Sequence, residues 1–193
     1  AVTLRLHRET DRPGICASGD ATALARSVAE SLGMPHTVAD LCGLFRDTVM
    51  ARFVSEYVAG RTPNPCVDCN REIKFGALLD WALDHGADAM ATGHYARVDR
   101  DAASGRWRLL RGVDQRKDQS YFLFQLTQFQ LSRLLLPVGA YEKPAIRALA
   151  ASHGLCNAQK PDSQDICFVP DGDYAAFLDS QGVEMVPGDF VDE

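Results

Sequence analysis

The stretch "REIKFGALLDWALDHGADAMATGH", residues 71–94, decides the fold. Its first part reads as a helix that Cys69 or Asn70 opens and Gly86 closes. "ADAMATGH" then reads as a buried strand. Upstream the same alternation recurs. "VTLRL" (2–6) alternates apolar and polar residues, as a strand does. Asp20 can cap a helix whose Leu24, Val28 and Leu32 share one face and whose stop is Gly33. "HTVADL" (36–41) is a short strand. A second helix runs from about Leu44 to Ala59, with Val49, Phe53 and Tyr57 in one row, and Gly60 and Pro63 end it. Strands are expected at roughly 1–6, 35–39 and 87–92. Strands alternating with helices predict an α/β fold, a parallel sheet flanked by helices. Ligands in such sheets bind outside the C-terminal ends of the strands, where "ATGHYARVD" lies.

Downstream, "HYARVDRDAASGRWRLLRG" reads as a β-hairpin turning at Ser104-Gly105. "KDQSYFLFQL" starts a further helix. Thr127 and Gln130 fit a capping box, and Pro144 and Gly154 bracket the helix "KPAIRALAASHG".

The chain has 193 residues and a net charge of −6, which argues against indiscriminate nucleic-acid binding but leaves room for a local basic patch. No apolar run approaches the roughly 20 residues of a membrane helix, and no export signal is visible. Six cysteines are too few and too scattered for a disulfide framework. The expectation is a reducing, cytoplasmic setting, where CxxC points to metal or redox chemistry. The chain starts without Met on a strand pattern and ends at "GDFVDE", which reads as the middle of a longer protein.

Four stretches could carry chemistry. In "GRTPNPCVDCNREIKFG", Cys66 and Cys69 stand two residues apart ahead of a helix. The spacing fits a redox pair, half a metal site, a nucleophile with a neighbour, or two small residues packing a loop. A cysteine at a helix N-terminus gains thiolate character, and Arg71 and Lys74 push the same way. In "KPDSQDICFVPDGDY", Cys167 sits where a loop feeds a short strand, and by itself it reads as a core-facing residue. In "ATGHYAR", Gly93 lets the backbone approach a ligand, while His94 is either a substrate contact or structural. In "RGVDQRKDQSYFLFQL", Arg111, Arg116 and Lys117 precede Gln119, Tyr121 and Phe122. Cations beside aromatics suit RNA, and a solvated loop with a core-facing aromatic helix is the plainer reading.

Together, "AGRTPNPCVDCNREIKFG", "ADAMATGHYARV", "LLRGVDQRKDQSYFLFQL", "EKPAIRALAASHGL" and "KPDSQDICF", in this order, closely resemble the tRNA-specific 2-thiouridylases of bacteria and organelles, which are ATP pyrophosphatases. The resemblance implies a PP-loop type catalytic domain over 1–168, with a hairpin inserted at about 94–112, and the start of a central tRNA-binding domain at 169–193. It implies ATP, with Mg2+, as cosubstrate, and tRNA and a persulfide-donating protein as partners. The wobble uridine is adenylated and its oxygen then replaced by sulfur. Cys69 matches the nucleophile and Cys167 the cysteine that receives persulfide sulfur. The two would close a disulfide as sulfur leaves. Asn64, Pro65 and Cys66 match the segment touching the target base. His94, Lys117, Asp118 and Gln119 match tRNA contacts, and Leu4 and Gly93 match positions touching ATP.

Two departures stand out. The family's SGGVDSS loop and its C-terminal β-barrel have no counterpart in these residues, so the chain alone is expected not to adenylate. Many relatives carry Asp where Cys66 stands. Three alternatives remain open: the same thiolation on a [4Fe-4S] cluster held by Cys66, Cys69 and Cys167, a zinc module that adds His94, and another ATP pyrophosphatase of the synthetase type.

Overall fold

The computed structural model describes residues 1–7, 18–159, 166–169 and 172–184. β1 (Val2–Arg5) pairs in parallel with β2 (Thr37–Asp40), and α1 (Ser18–Ser31) connects them. α2 follows as one continuous rod: α-helical Cys42–Phe45, π-helical Arg46–Met50 and α-helical Ala51–Val58. α3 is built the same way, from Pro65–Asp68, a π-helical Cys69–Ala77 and Leu78–Asp84. β3 (Met90–Ala91) comes next, then the antiparallel hairpin of β4 (Ala96–Arg100) and β5 (Trp107–Arg111). A 3-10 turn (Ser120–Leu123), α4 (Gln128–Ser132) and β6 (Leu134–Leu135) follow, with β6 parallel to β3. A second 3-10 turn (Pro137–Ala140), α5 (Lys143–Ser152) and α6 (Tyr174–Ser180) complete the described elements.

The α/β expectation holds, and the three expected strands appear within a few residues of their places. Among the described residues the parallel strands form two separate pairs, β1–β2 and β3–β6. A cavity of about 750 Å3 is lined by Val2 and Leu4 of β1 and by Met90 and Ala91 of β3, with Leu78 and Trp81 of α3 beside it.

Two cores hold the molecule together. The first joins Phe45, Val49 and Phe53 of α2 to Cys69 and Ile73 of α3, and to Phe168, Val169 and Phe177. Phe53 makes edge contacts with Tyr57, Phe168 and Phe177, their ring centroids 4.9, 5.1 and 5.7 Å away. Burying a side chain of this kind stabilises by roughly 1.5–3 kcal/mol. The second core joins Phe75 of α3 to Ala96, Leu123, Leu134 and Leu136. Helix α3 therefore belongs to both cores, with Ile73 in one and Phe75 in the other.

Some local expectations are corrected. α3 begins at Pro65, not at Cys69 or Asn70, because Pro65 supplies a preset φ at the first helical position and Asn64 stands outside it. α1 is already helical at Ser18, so Asp20 lies inside it rather than at its cap. "KDQSYFLFQL" yields one 3-10 turn, because Asp118 takes Ser120 N–H and Gln119 is tied to Tyr95. Ile166–Val169 forms a turn closed by a Val169 N–H to Ile166 C=O bond of 3.0 Å, not a strand. The Thr127–Gln130 capping box forms in both directions. No helix among the described residues is long and apolar enough to cross a membrane.

Candidate functional site

The starting point of α3 changes the thiol chemistry. Cys66 occupies its first turn and is exposed, whereas Cys69 lies one turn in and is buried in the first core. The helix N-terminus thus favours an anion at Cys66 rather than at Cys69. Burial pushes the Cys69 thiol up to about 12. Lys74 opposes that shift, and the charges of Cys167, Cys66 and Asp68 add to it. Burial also raises the Cys66 thiol, again against Lys74. The expectation that Cys69 is the activated thiolate is therefore corrected: in this state it is a neutral, shielded thiol.

The first core also ties the Cys167 segment to α3. Phe168 packs among Phe45, Phe53 and Phe177, in the cluster that also contains Cys69. Anchoring Phe168 holds the Cys167 backbone beside α3 across about a hundred residues of sequence. Cys167 itself is exposed, and its Sγ lies 3.7 Å from His7 Nε2. Cys42, Cys66, Cys69, Cys156 and Cys167 are all free thiols, so the expected Cys69–Cys167 bridge is not formed.

The charged frame around α3 is dense. Asp68 is buried and meets Arg71 at 3.2 Å and Arg52 at 3.5 Å. Asn70, also buried, donates through Nδ2 to the Phe122 carbonyl (3.2 Å), which ties α3 to the 3-10 turn. Arg71 reaches Gln125 Oε1 at 2.6 Å. Sequence reasoning missed Asp68, Asn70 and His7. A lone His just beyond the first strand's C-terminal end was the available signal for the last.

Lys74 acts on His94 as well. Burial, and Lys74 after it, press its pKa down to about 4, so it is a neutral imidazole at pH 7. Its Nδ1 is 2.8 Å from Thr92 Oγ1 and its ring 5.6 Å from Phe75. Leu4, Lys74, Thr92 and His94 all line the cavity between the strand pairs. A Cβ at Gly93 would meet nothing within 4 Å, so that backbone is open on its outer side.

The Lys117–Gln119 segment is largely committed to the protein itself. Asp118 accepts from Gly112 N–H (2.8 Å), Ser120 Oγ (2.8 Å) and Arg111 Nε (3.3 Å). Burial works to raise its pKa, and these bonds outweigh it and hold the carboxyl below its usual range. Gln119 exchanges two bonds with Tyr95, the neighbour of His94: Oε1 accepts at 3.0 Å, and its N–H donates at 2.9 Å. Asp118 and Gln119 thus lock the loop to the His94 turn. Tyr121 and Phe124 beside them are exposed, rings 5.7 Å apart.

A family model described as "tRNA methyl transferase HUP domain" matches residues 1–171. The chain belongs to this family. Among curated relatives, it is 52% identical over 182 residues to the "tRNA-specific 2-thiouridylase MnmA" of Heliobacterium modesticaldum, covering 93% of this chain and 47% of that protein. The protein of the same name from Carboxydothermus hydrogenoformans is 53% identical over 178 residues, 92% of this chain and 49% of the relative. That of Geotalea uraniireducens is 51% identical over 185 residues, 95% and 49%. The chain spans about half the length of these relatives. Among the described residues no group of three His, Cys, Asp or Glu is gathered as a metal cradle. Cys69 packs in the aromatic first core, and the charges of Cys66 and Cys167 both act on it.

Proposed function

We propose that this chain is the cysteine-bearing part of a tRNA-uridine 2-sulfurtransferase, working in the cytoplasm. One observation supports the reading: Phe168, the neighbour of the exposed Cys167, packs in the same core as the buried Cys69, and the charge of Cys167 acts on Cys69. The names of the relatives point the same way.

In this reading Cys167 takes sulfur from a donor protein's persulfide. The terminal sulfur of that new persulfide attacks C2 of the uridine, which ATP has adenylated, and AMP leaves. Cys69 then loses its proton and attacks Cys167 Sγ. The S–S bond breaks, sulfur stays on the base as the thiocarbonyl, and a Cys69–Cys167 disulfide closes, to be reopened by a dithiol. Geometry must change first, because Cys69 is shielded and its pKa near 12 makes it a poor nucleophile. Shielding suits this order, since it keeps Cys69 from closing the disulfide before the base is attached. Residues Leu4 and Gly93 with the adjacent cavity would hold ATP, whose role is to turn the C2 oxygen into a leaving group. Asn64, Pro65 and Cys66 would meet the target base. His94 and Lys117 would contact tRNA, with Asp118 and Gln119 fixing their loop.

The test is 2-thiouridine content, by mass spectrometry, of tRNA from cells whose only copy of the gene carries C69S, C167S or C66S. C69S and C167S should abolish the nucleoside, and C66S should lower it without abolishing it. Full thiolation in C167S would overturn the reading, and stoichiometric iron in the active protein would favour a cluster.

A further inference from the structure

We infer that His7 is the proton acceptor and positioning residue of Cys167. This rests on the reading of Cys167 as the sulfur acceptor for its purpose, though not for its existence. Sγ of Cys167 and Nε2 of His7 are 3.7 Å apart, at the outer limit of a sulfur hydrogen bond. The pairing spans 160 residues of sequence, so it is made by the fold and not by local chain geometry. Two aromatic contacts hold it. The His7 ring stands edge-on to Phe45, centroids 5.0 Å apart at 89°. Phe45 in turn packs on Phe168, the residue next to Cys167, at 5.6 Å. One buried ring, Phe45, therefore fixes both partners.

The chemistry separates the two thiols. Cys69 is buried, with a pKa driven up to about 12 by that burial. Cys167 is exposed and has an imidazole at its sulfur. In the resting pair the S–H of Cys167 donates to Nε2. On transfer, Nε2–H donates to the thiolate, as in other Cys–His pairs. The thiolate then attacks the outer sulfur of a donor persulfide, R–S–SH. The new Cys167 S–S bond forms and the donor S–S bond breaks. The donor leaves as a thiolate and takes the proton from His7, so no outside oxidant or reductant is needed.

Among the described residues, the charged groups on the surrounding elements make these contacts. Arg5 on β1 pairs with Asp40, and Arg46 on α2 pairs with Asp47. Arg52 pairs with Asp68, and on α3 Lys74 acts on Cys69 and Cys66. Arg8 and Glu9 after His7, and Lys160, Asp162, Asp165 and Asp171 around Cys167, lie outside the described residues.

The experiment is the pH profile of Cys167 alkylation by iodoacetamide, followed by peptide mass spectrometry on the full chain as wild type, H7A and H7Q. Circular dichroism checks that each variant is folded. The expected result is a Cys167 midpoint raised by about one pH unit in both variants, hence a rate at pH 7 about tenfold lower. Cys66 should stay unchanged as the internal control. H7Q keeps size and hydrogen bonding and covers the case in which H7A does not fold. A merely structural His7 would be replaced by Gln with the profile intact, and an unmoved midpoint in folded H7Q overturns the inference. A second arm adds inorganic polysulfide and reads a one-sulfur mass gain on the Cys167 peptide. A shifted midpoint without that gain in wild type supports the pair and removes the sulfur-acceptor reading instead.

Discussion

A thiol with a pKa near 12 is almost wholly protonated at neutral pH, whatever its neighbours invite it to do. Burial sets that value for Cys69. At pH 8 its alkylation should run on the order of a hundredfold slower than that of the exposed Cys156. Quantitative peptide mapping after timed labelling measures the ratio, and equal rates would show that the first core does not shield Cys69. His94 makes a second prediction. Its folded pKa, about 4, lies below the ordinary 6.5. The unfolded chain therefore binds the extra proton between those values, and stability present above pH 6.5 is lost as pH falls towards 4. The ceiling is about 3 kcal/mol, reduced in practice by solvent access. Thermal melts from pH 7 to 4 should show the loss, and in H94N the slope over that window should flatten. At this scale the sequence was legible for residue identity and misleading for environment. "NPCVDC" displays a CxxC, but which cysteine faces solvent depends on Pro65 starting the helix, which leaves Cys66 exposed in the first turn and Cys69 buried one turn in.

The π-helical segment of α3 carries both cores and calls for its own test. A Cβ on Gly76 would come within 2.9 Å of the Arg71 carbonyl, five residues back. The wide turn brings that oxygen inward, so the position needs a residue without a side chain. Gly76→Ala should cost about 1–3 kcal/mol by urea denaturation, and a neutral result would mean that the turn relaxes to ordinary α-helix at no cost. In the first core, Phe53→Ala removes a ring that touches Tyr57, Phe168 and Phe177 and should cost roughly 3–5 kcal/mol. It should also release the Cys167 turn, read as faster alkylation of Cys69. The same substitution thus links packing to chemistry. Element boundaries that rest on local signals, such as the Thr127 capping box and the Ser104-Gly105 hairpin, could be read directly. "KDQSYFLFQL" could not, since its helix is cut short by Gln119 and Asp118 bonding to residues elsewhere in the fold.

Across the whole molecule, alternation of strand and helix announced a parallel α/β architecture, and the paired strands obey it. What alternation does not encode is which strands become neighbours, because hydrogen-bond partners come from tertiary packing. The two pairs stand apart with the cavity between them, and α3 is the common support. Amide exchange should report two protection classes, one for β1–β2 and one for β3–β6 with the hairpin. A single uniform class would mean that α3 couples them fully.

The gap has a colloidal consequence. Among the described residues β1 and β3 each pair with only one strand, so each keeps a row of backbone donors and acceptors facing away from its partner. Such rows recruit any extended apolar peptide at hand, and in concentrated solution the nearest supply is another copy of the same chain. Shelf life should therefore be limited by edge-to-edge growth long before thermal unfolding. Light scattering should rise steeply with concentration at temperatures where circular dichroism is unchanged. A short strand-forming peptide added in excess should suppress that rise, whereas salt alone should not.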